Sequence, residues 1–109
     1  MLLTEARLLS LAERELEEAF DFYSAERPAL GQQFADCVEA TLLQALHFPE
    51  AGTLVTHPRL RRTVRRFQVH DPFPYDLVAA VMGDELVVVA VAHHKRRPTY
   101  WIRRMAALR

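Results

Sequence analysis

Apolar positions recur along the chain with two different periods, and the change falls near Gly52. Residues 2–9 (LLTEARLL) are short and apolar, which fits a first strand or a lead-in to a helix. Ser10 followed by Glu13 reads as a capping box. Ala12, Leu16, Ala19, Phe20 and Tyr23 then mark one helical face, predicting a helix over about 11–26. The acidic residues Glu13, Glu15, Glu17 and Glu18 crowd its start, where the helix dipole favours them. Pro28 suits the first turn of a second helix. Leu30, Phe34, Cys37, Val38, Thr41, Ala45 and Phe48 trace its face, and Pro49 ends it before the turn Glu50-Ala51-Gly52. So short a connection predicts an antiparallel helical hairpin.

Beyond Gly52 the helical period is lost. Residues 63–69 (TVRRFQV) read as a strand with Arg65, Phe67 and Val69 on one face. Asp71-Pro72-Phe73-Pro74 breaks the pattern, and residues 75–82 (YDLVAAVM) read as a second strand. Gly83-Asp84 is a two-residue hairpin signal. Residues 86–92 (LVVVAVA) are apolar on both faces, as expected of a central strand covered on both sides. Pro98 opens a tail, TYWIRRMAALR, with room for a short helix. Two helices followed by antiparallel strands predict an α+β fold, a helical hairpin packed on a small antiparallel sheet, in a single domain 1–109.

Composition narrows the class. A chain of 109 residues and 12.6 kDa buries roughly two thirds of its unfolded surface, enough for a core without staples. The single Cys37 excludes an intrachain disulfide framework and a Cys-rich zinc site. No apolar run reaches the ~18 residues of a membrane span, and the N-terminus lacks a secretory pattern, so the expected compartment is the cytoplasm.

The formal net charge of zero conceals an asymmetry. Residues 1–58 hold three basic and ten acidic side chains, a net of −7. Residues 59–109 hold eleven basic and four acidic ones, a net of +7. The basic residues come in two bursts: Arg59, Arg61, Arg62, Arg65 and Arg66, then Lys95, Arg96, Arg97, Arg103 and Arg104. Thirteen of the fourteen are Arg, whose planar fork suits phosphate or carboxylate. The charge points either to an anionic partner or to mutual neutralisation of the two halves within one fold.

The candidate chemistry is sparse. His93 and His94 are neighbours on a strand and point to opposite faces, His93 with Val91 and Lys95, His94 with Ala92 and Arg96. They do not chelate one metal together, and no metal site or cofactor is expected. Either one caps the strand end or serves as a general base. No Walker-type loop or Ser-His-Asp arrangement is present. Tyr100 and Trp101 suit base stacking or anchoring of the tail, and anchoring is the expectation for Trp101. Cys37, on the apolar face of the second helix, reads as a small hydrophobe, and Glu13/Glu17 as a solvated helical pair.

From about Arg7 to Trp101 the chain resembles the RelE/ParE superfamily of toxins of type II toxin–antitoxin modules, the plasmid stabilisation proteins. The pieces are Ala12-Glu13-x-Glu15-Leu16-x-Glu18-Ala19 with Tyr23, Gly31-x-x-Phe34, Pro49-x-x-Gly52, Arg62, Phe73-Pro74-Tyr75 and Val89–Pro98 with Tyr100-Trp101. The resemblance implies a helical hairpin on a twisted antiparallel sheet and a cognate antitoxin as partner. It also implies one of two actions. ParE-like members bind DNA gyrase and arrest growth. RelE-like members cut messenger RNA on the ribosome without a metal, for which Arg62, His93, Arg97 and Tyr100 are the positional matches here. Arg61, Arg65, Arg66, Lys95 and Arg96 then form the basic face for target or antitoxin. No membrane partner is implied. The ParE-like action is the expectation, since the RelE catalytic set is not clearly marked. Asp76 and Ala79 depart from the family pattern, where a basic residue and a Tyr are usual, which keeps a non-toxic binding module as a third reading.

Overall fold

The computed structural model describes residues 3–108; Met1, Leu2 at the head of the first apolar stretch, and Arg109 at the end of the tail lie outside the described residues. The first stretch is a strand, β1 (Glu5–Leu8). The hairpin follows as α1 (Ser10–Glu26) and α2 (Pro28–His47). Then come β2 (Thr53–Val55), β3 (Val64–Gln68), β4 (Tyr75–Met82), β5 (Glu85–His93) and a 3-10 helix over Ile102–Ala107.

The five strands form one sheet in the order β1-β5-β4-β3-β2. Strands β3 to β5 pair antiparallel, as the sequence predicts, and β2 adds a further antiparallel strand beside β3. Strand β1 lies parallel to β5, so the sheet is mixed, with an antiparallel body and one parallel edge. Three further details differ from the sequence reading. The capping box does not form: Leu9 is the N-cap of α1 and makes no side-chain cap bond, so Ser10 is already inside the helix. Phe48 follows the last residue of α2 and is exposed, because the helical face ends with His47. Strand β2 carries only three residues and no alternation a pattern could detect.

The hairpin covers one face of the sheet. Phe34, Val38 and Ala45 of α2 and Ala12 and Ala19 of α1 join Phe67, Leu77 and Leu86 in one core cluster. Thr41 is buried among them and bonds back to the Cys37 carbonyl at 2.8 Å. On the opposite face, Trp101 and Leu108 of the tail cover Val64, Val78, Val87 and Val89. Trp101 is therefore the tail's anchor, and Leu86–Val91 are buried from both sides.

A bulge decides which side chains reach which face. Val78 pairs with Ala90 but Ala79 pairs with Val88, leaving Val89 as an extra residue in β5. An inserted residue reverses the alternation that follows. Leu86 and Val88 face the helices, Val89 and Ala90 both face the tail, and Val91 returns to the helices.

The helices cross closely at Gly31. A Cβ there would overlap Ser24 Oγ and sit 2.9 Å from Ser24 Cβ. Gly31→Ala therefore has to push α1 and α2 apart, at a cost of about 1–3 kcal/mol. The expected result is a lower urea midpoint with an unchanged m-value; a midpoint equal to wild type would show that the crossing is loose.

Candidate functional site: a cleft braced by Glu15

Strand β1 ends its ladder at Leu8↔Val88, while β5 continues to His93. The backbone of β5 beyond Val88 then lacks a neighbouring strand on that side, and two side chains take its place. The Glu15 carboxylate of α1 accepts the Val91 N–H at 3.0 Å. Arg104 of the 3-10 helix donates to the Val89 carbonyl at 3.1 Å. The same two groups form a bidentate ion pair, at 2.8 and 3.0 Å, the strong geometry for Arg and carboxylate. The Tyr100 hydroxyl completes the set, donating to Glu15 at 2.6 Å.

The electrostatics follow from this geometry. Burial pushes the Glu15 pKa up, but the bonds from Arg104, Tyr100 and Val91 outweigh it and hold the carboxyl below its ordinary value. Burial, then the bond to Glu15, pushes the Tyr100 phenol far above its ordinary range. The bond to Glu15 raises Arg104 further, against the opposing effect of burial. The Arg96 guanidinium stacks on Tyr100, 3.9 Å from the ring centroid, so the ion pair fixes a surface cation through an aromatic ring.

Beside this brace the uncovered end of the sheet forms a cleft of about 650 Å³, a size common for ligand sites. Arg66, Gln68 and Asp76 line it from the sheet, and His94, Arg96, Arg97 and Tyr100 from the following loop. Asp76 does not stand alone against the arginines. It accepts a bond from His94 at 2.9 Å and has Arg66 at 3.7 Å, so its charge is compensated inside the cleft.

The structure separates the residues that the sequence grouped together. His93, Arg97 and Tyr100 line the cleft. Arg62 does not: its Nε donates to the Leu108 carbonyl at 3.4 Å, and it lines another hollow with Arg61 that shares no residue with the cleft. Arg65 turns back to the Gly52 carbonyl at 2.9 Å. Lys95 is exposed, with its backbone N–H bonded to His93 Nδ1 at 3.0 Å. That bond caps the end of β5, and the His93 ring stands edge-on to Tyr75 with centroids 4.9 Å apart. Burial, then the charges of Lys95 and His94, lower the His93 pKa. Among the described residues no three His, Cys, Asp or Glu side chains converge to hold a metal.

Sequence reasoning weighed Glu13 with Glu17 and passed over Glu15. The signal was available: Glu15 interrupts the spacing Ala12, Leu16, Ala19 on the side of α1 that packs inward. Arg104 gave no comparable signal among its arginine neighbours.

With the helical hairpin, the sheet and the cleft in place, this is the architecture of the RelE/ParE superfamily of toxins. Within it the chain belongs to the ParE toxins of type II toxin–antitoxin systems, parDE, whose family profile matches residues 6–98. Tyr100 and Arg104 lie beyond that matched region. Among solved structures the fold resembles the chromosomal ParDE toxin–antitoxin system from P. aeruginosa. The TM-score is 0.66 and the identity 14%, over 84% of this chain and 96% of that one. No curated protein matches the chain by sequence. Among the described residues no helix is long and apolar enough to cross a membrane.

The brace has a pH signature. A folded-state pKa below the ordinary value stabilises the protein above that value and is lost as pH falls through the folded one. Glu15→Gln should cost about 2–3 kcal/mol at pH 7 and make the loss of stability below about pH 5 shallower than in wild type. Urea titrations across pH measure both effects; equal stability at pH 7 would remove the brace from its structural role.

Proposed function

We propose that this protein is a growth-inhibiting toxin that acts in the cytoplasm by binding an essential target such as DNA gyrase, and that a cognate antitoxin neutralises it. The observation that carries this reading is the dispersal of the cleavage candidates. Arg62 is apart from His93, Arg97 and Tyr100, and the Tyr100 hydroxyl is committed to Glu15. A phenol held protonated by a carboxylate is a poor proton shuttle at neutral pH. His93, committed to its turn, supplies no better one. Membership of the ParE toxin family supports the same choice of action. The compensation of Asp76 by His94 and Arg66 supports an active toxin over a non-toxic binding module, because the cleft keeps Arg96 and Arg97 as uncancelled cations.

Induced expression with growth curves, transcript-end mapping and plasmid supercoiling tests the proposal. Growth arrest with intact transcripts and altered supercoiling is expected. Tyr100→Phe keeps the ring under Arg96 and should retain toxicity within about threefold, whereas Arg97→Glu should abolish it. New cuts in messenger RNA that vanish in Tyr100→Phe would establish the ribonuclease instead. Unimpeded growth at good soluble expression would establish the non-toxic module.

A further inference from the structure

The two bursts of arginine do not form one basic face. The fold sends Arg66, Arg96 and Arg97 to the cleft and uses Arg104 in the brace. It gathers Arg59, Arg61, Arg62 and Arg103 around a second hollow of about 590 Å³, built from the loop before β3 and the 3-10 helix. Ile102, Met105 and Leu108 give this hollow an apolar lining. No Asp or Glu lines it among the described residues. The guanidinium groups of Arg59 and Arg103 meet no acceptor among the described residues, while Arg61 and Arg62 reach only the carbonyls of Pro58 and Leu108. Glu50 lines an adjoining hollow that Arg61 and Arg62 also border.

Four like charges gathered in one lining that holds no Asp or Glu among the described residues repel one another, and nothing in the core requires them to be there. All four side chains belong to exposed residues. We propose that this hollow is a second docking surface, separate from the cleft, for an acidic segment of a partner protein that places an apolar side chain between its carboxylates. Charge complementarity selects the acidic flanks, and the lining of Ile102, Met105 and Leu108 selects the apolar anchor. A nucleic-acid strand fits less well, because no aromatic ring lines the hollow for a base to stack on. The hollow and the cleft share no lining residue, so substitutions address each of them separately. The inference therefore does not depend on which target the cleft meets.

The test uses the purified full chain and a fluorescein-labelled peptide, Glu-Glu-Leu-Glu-Glu-Leu-Glu, followed by anisotropy and amide NMR. The expected result is saturable binding that shifts amides over residues 59–62 and 102–108. Arg59→Glu with Arg103→Glu should weaken it about tenfold or more, while Arg97→Glu in the cleft changes it less than about twofold. Replacing both Leu of the peptide by Ser should also weaken binding. Absence of binding, binding indifferent to the paired substitution, or equal loss with Arg97→Glu would overturn the proposal. Tighter binding of a single-stranded oligonucleotide through the same arginines would overturn the protein class of the partner. Concentration-dependent self-association abolished by the paired substitution would make the occupant a second copy of this chain. Growth assays read the cleft, so loss of peptide binding with toxicity intact separates this surface from the proposed action.

Discussion

A single carboxylate substitutes for a strand. Because β1 is only four residues long, β5 outruns it, and a buried strand cannot leave its backbone polar groups without partners. Glu15 and Arg104 meet that demand together: one accepts the Val91 N–H, the other donates to the Val89 carbonyl, and the two neutralise each other. Isolated, either charge would be costly in so enclosed a place. Paired, they join α1, β5 and the tail, three segments remote in sequence, and orient Tyr100 and Arg96 at the edge of the cleft.

The bulge at Val89 and this ion pair act on the same stretch of β5. The extra residue directs Val89 and Ala90 toward the tail, where Trp101 covers them. Beyond it Ala92 and His94 face the cleft, while His93 borders the cleft and packs its ring against Tyr75. One insertion thus assigns two adjacent histidines to separate tasks: one pairs with Asp76 and the other closes a turn. The departure from the family pattern at Asp76 is absorbed locally in this way.

The charge asymmetry of the chain is only partly cancelled by pairing of its two halves within the fold. The acidic N-terminal half contributes Glu15 to an internal pair, yet most of the basic half stays on the surface. There it is divided between the cleft and a hollow that shares no residue with it.

Helical and strand periods are local properties, so both helices, β3, β4 and β5 were legible from the chain within a few residues. The doubly apolar run of β5, the stop at Pro49 and the anchoring of Trp101 were legible for the same reason. The family was legible because short motifs in a fixed order mark it. The parallel placement of β1, the strand β2, the bulge at Val89 and the partners of Glu15 were not. Each depends on which groups lie opposite one another in the folded chain, not on the local sequence pattern. Likewise, Arg62 and Arg97 look alike in the sequence, and only the tertiary fold assigns one to the hollow and the other to the cleft. The amino-acid sequence determined what could be buried; the packing decided which charges met.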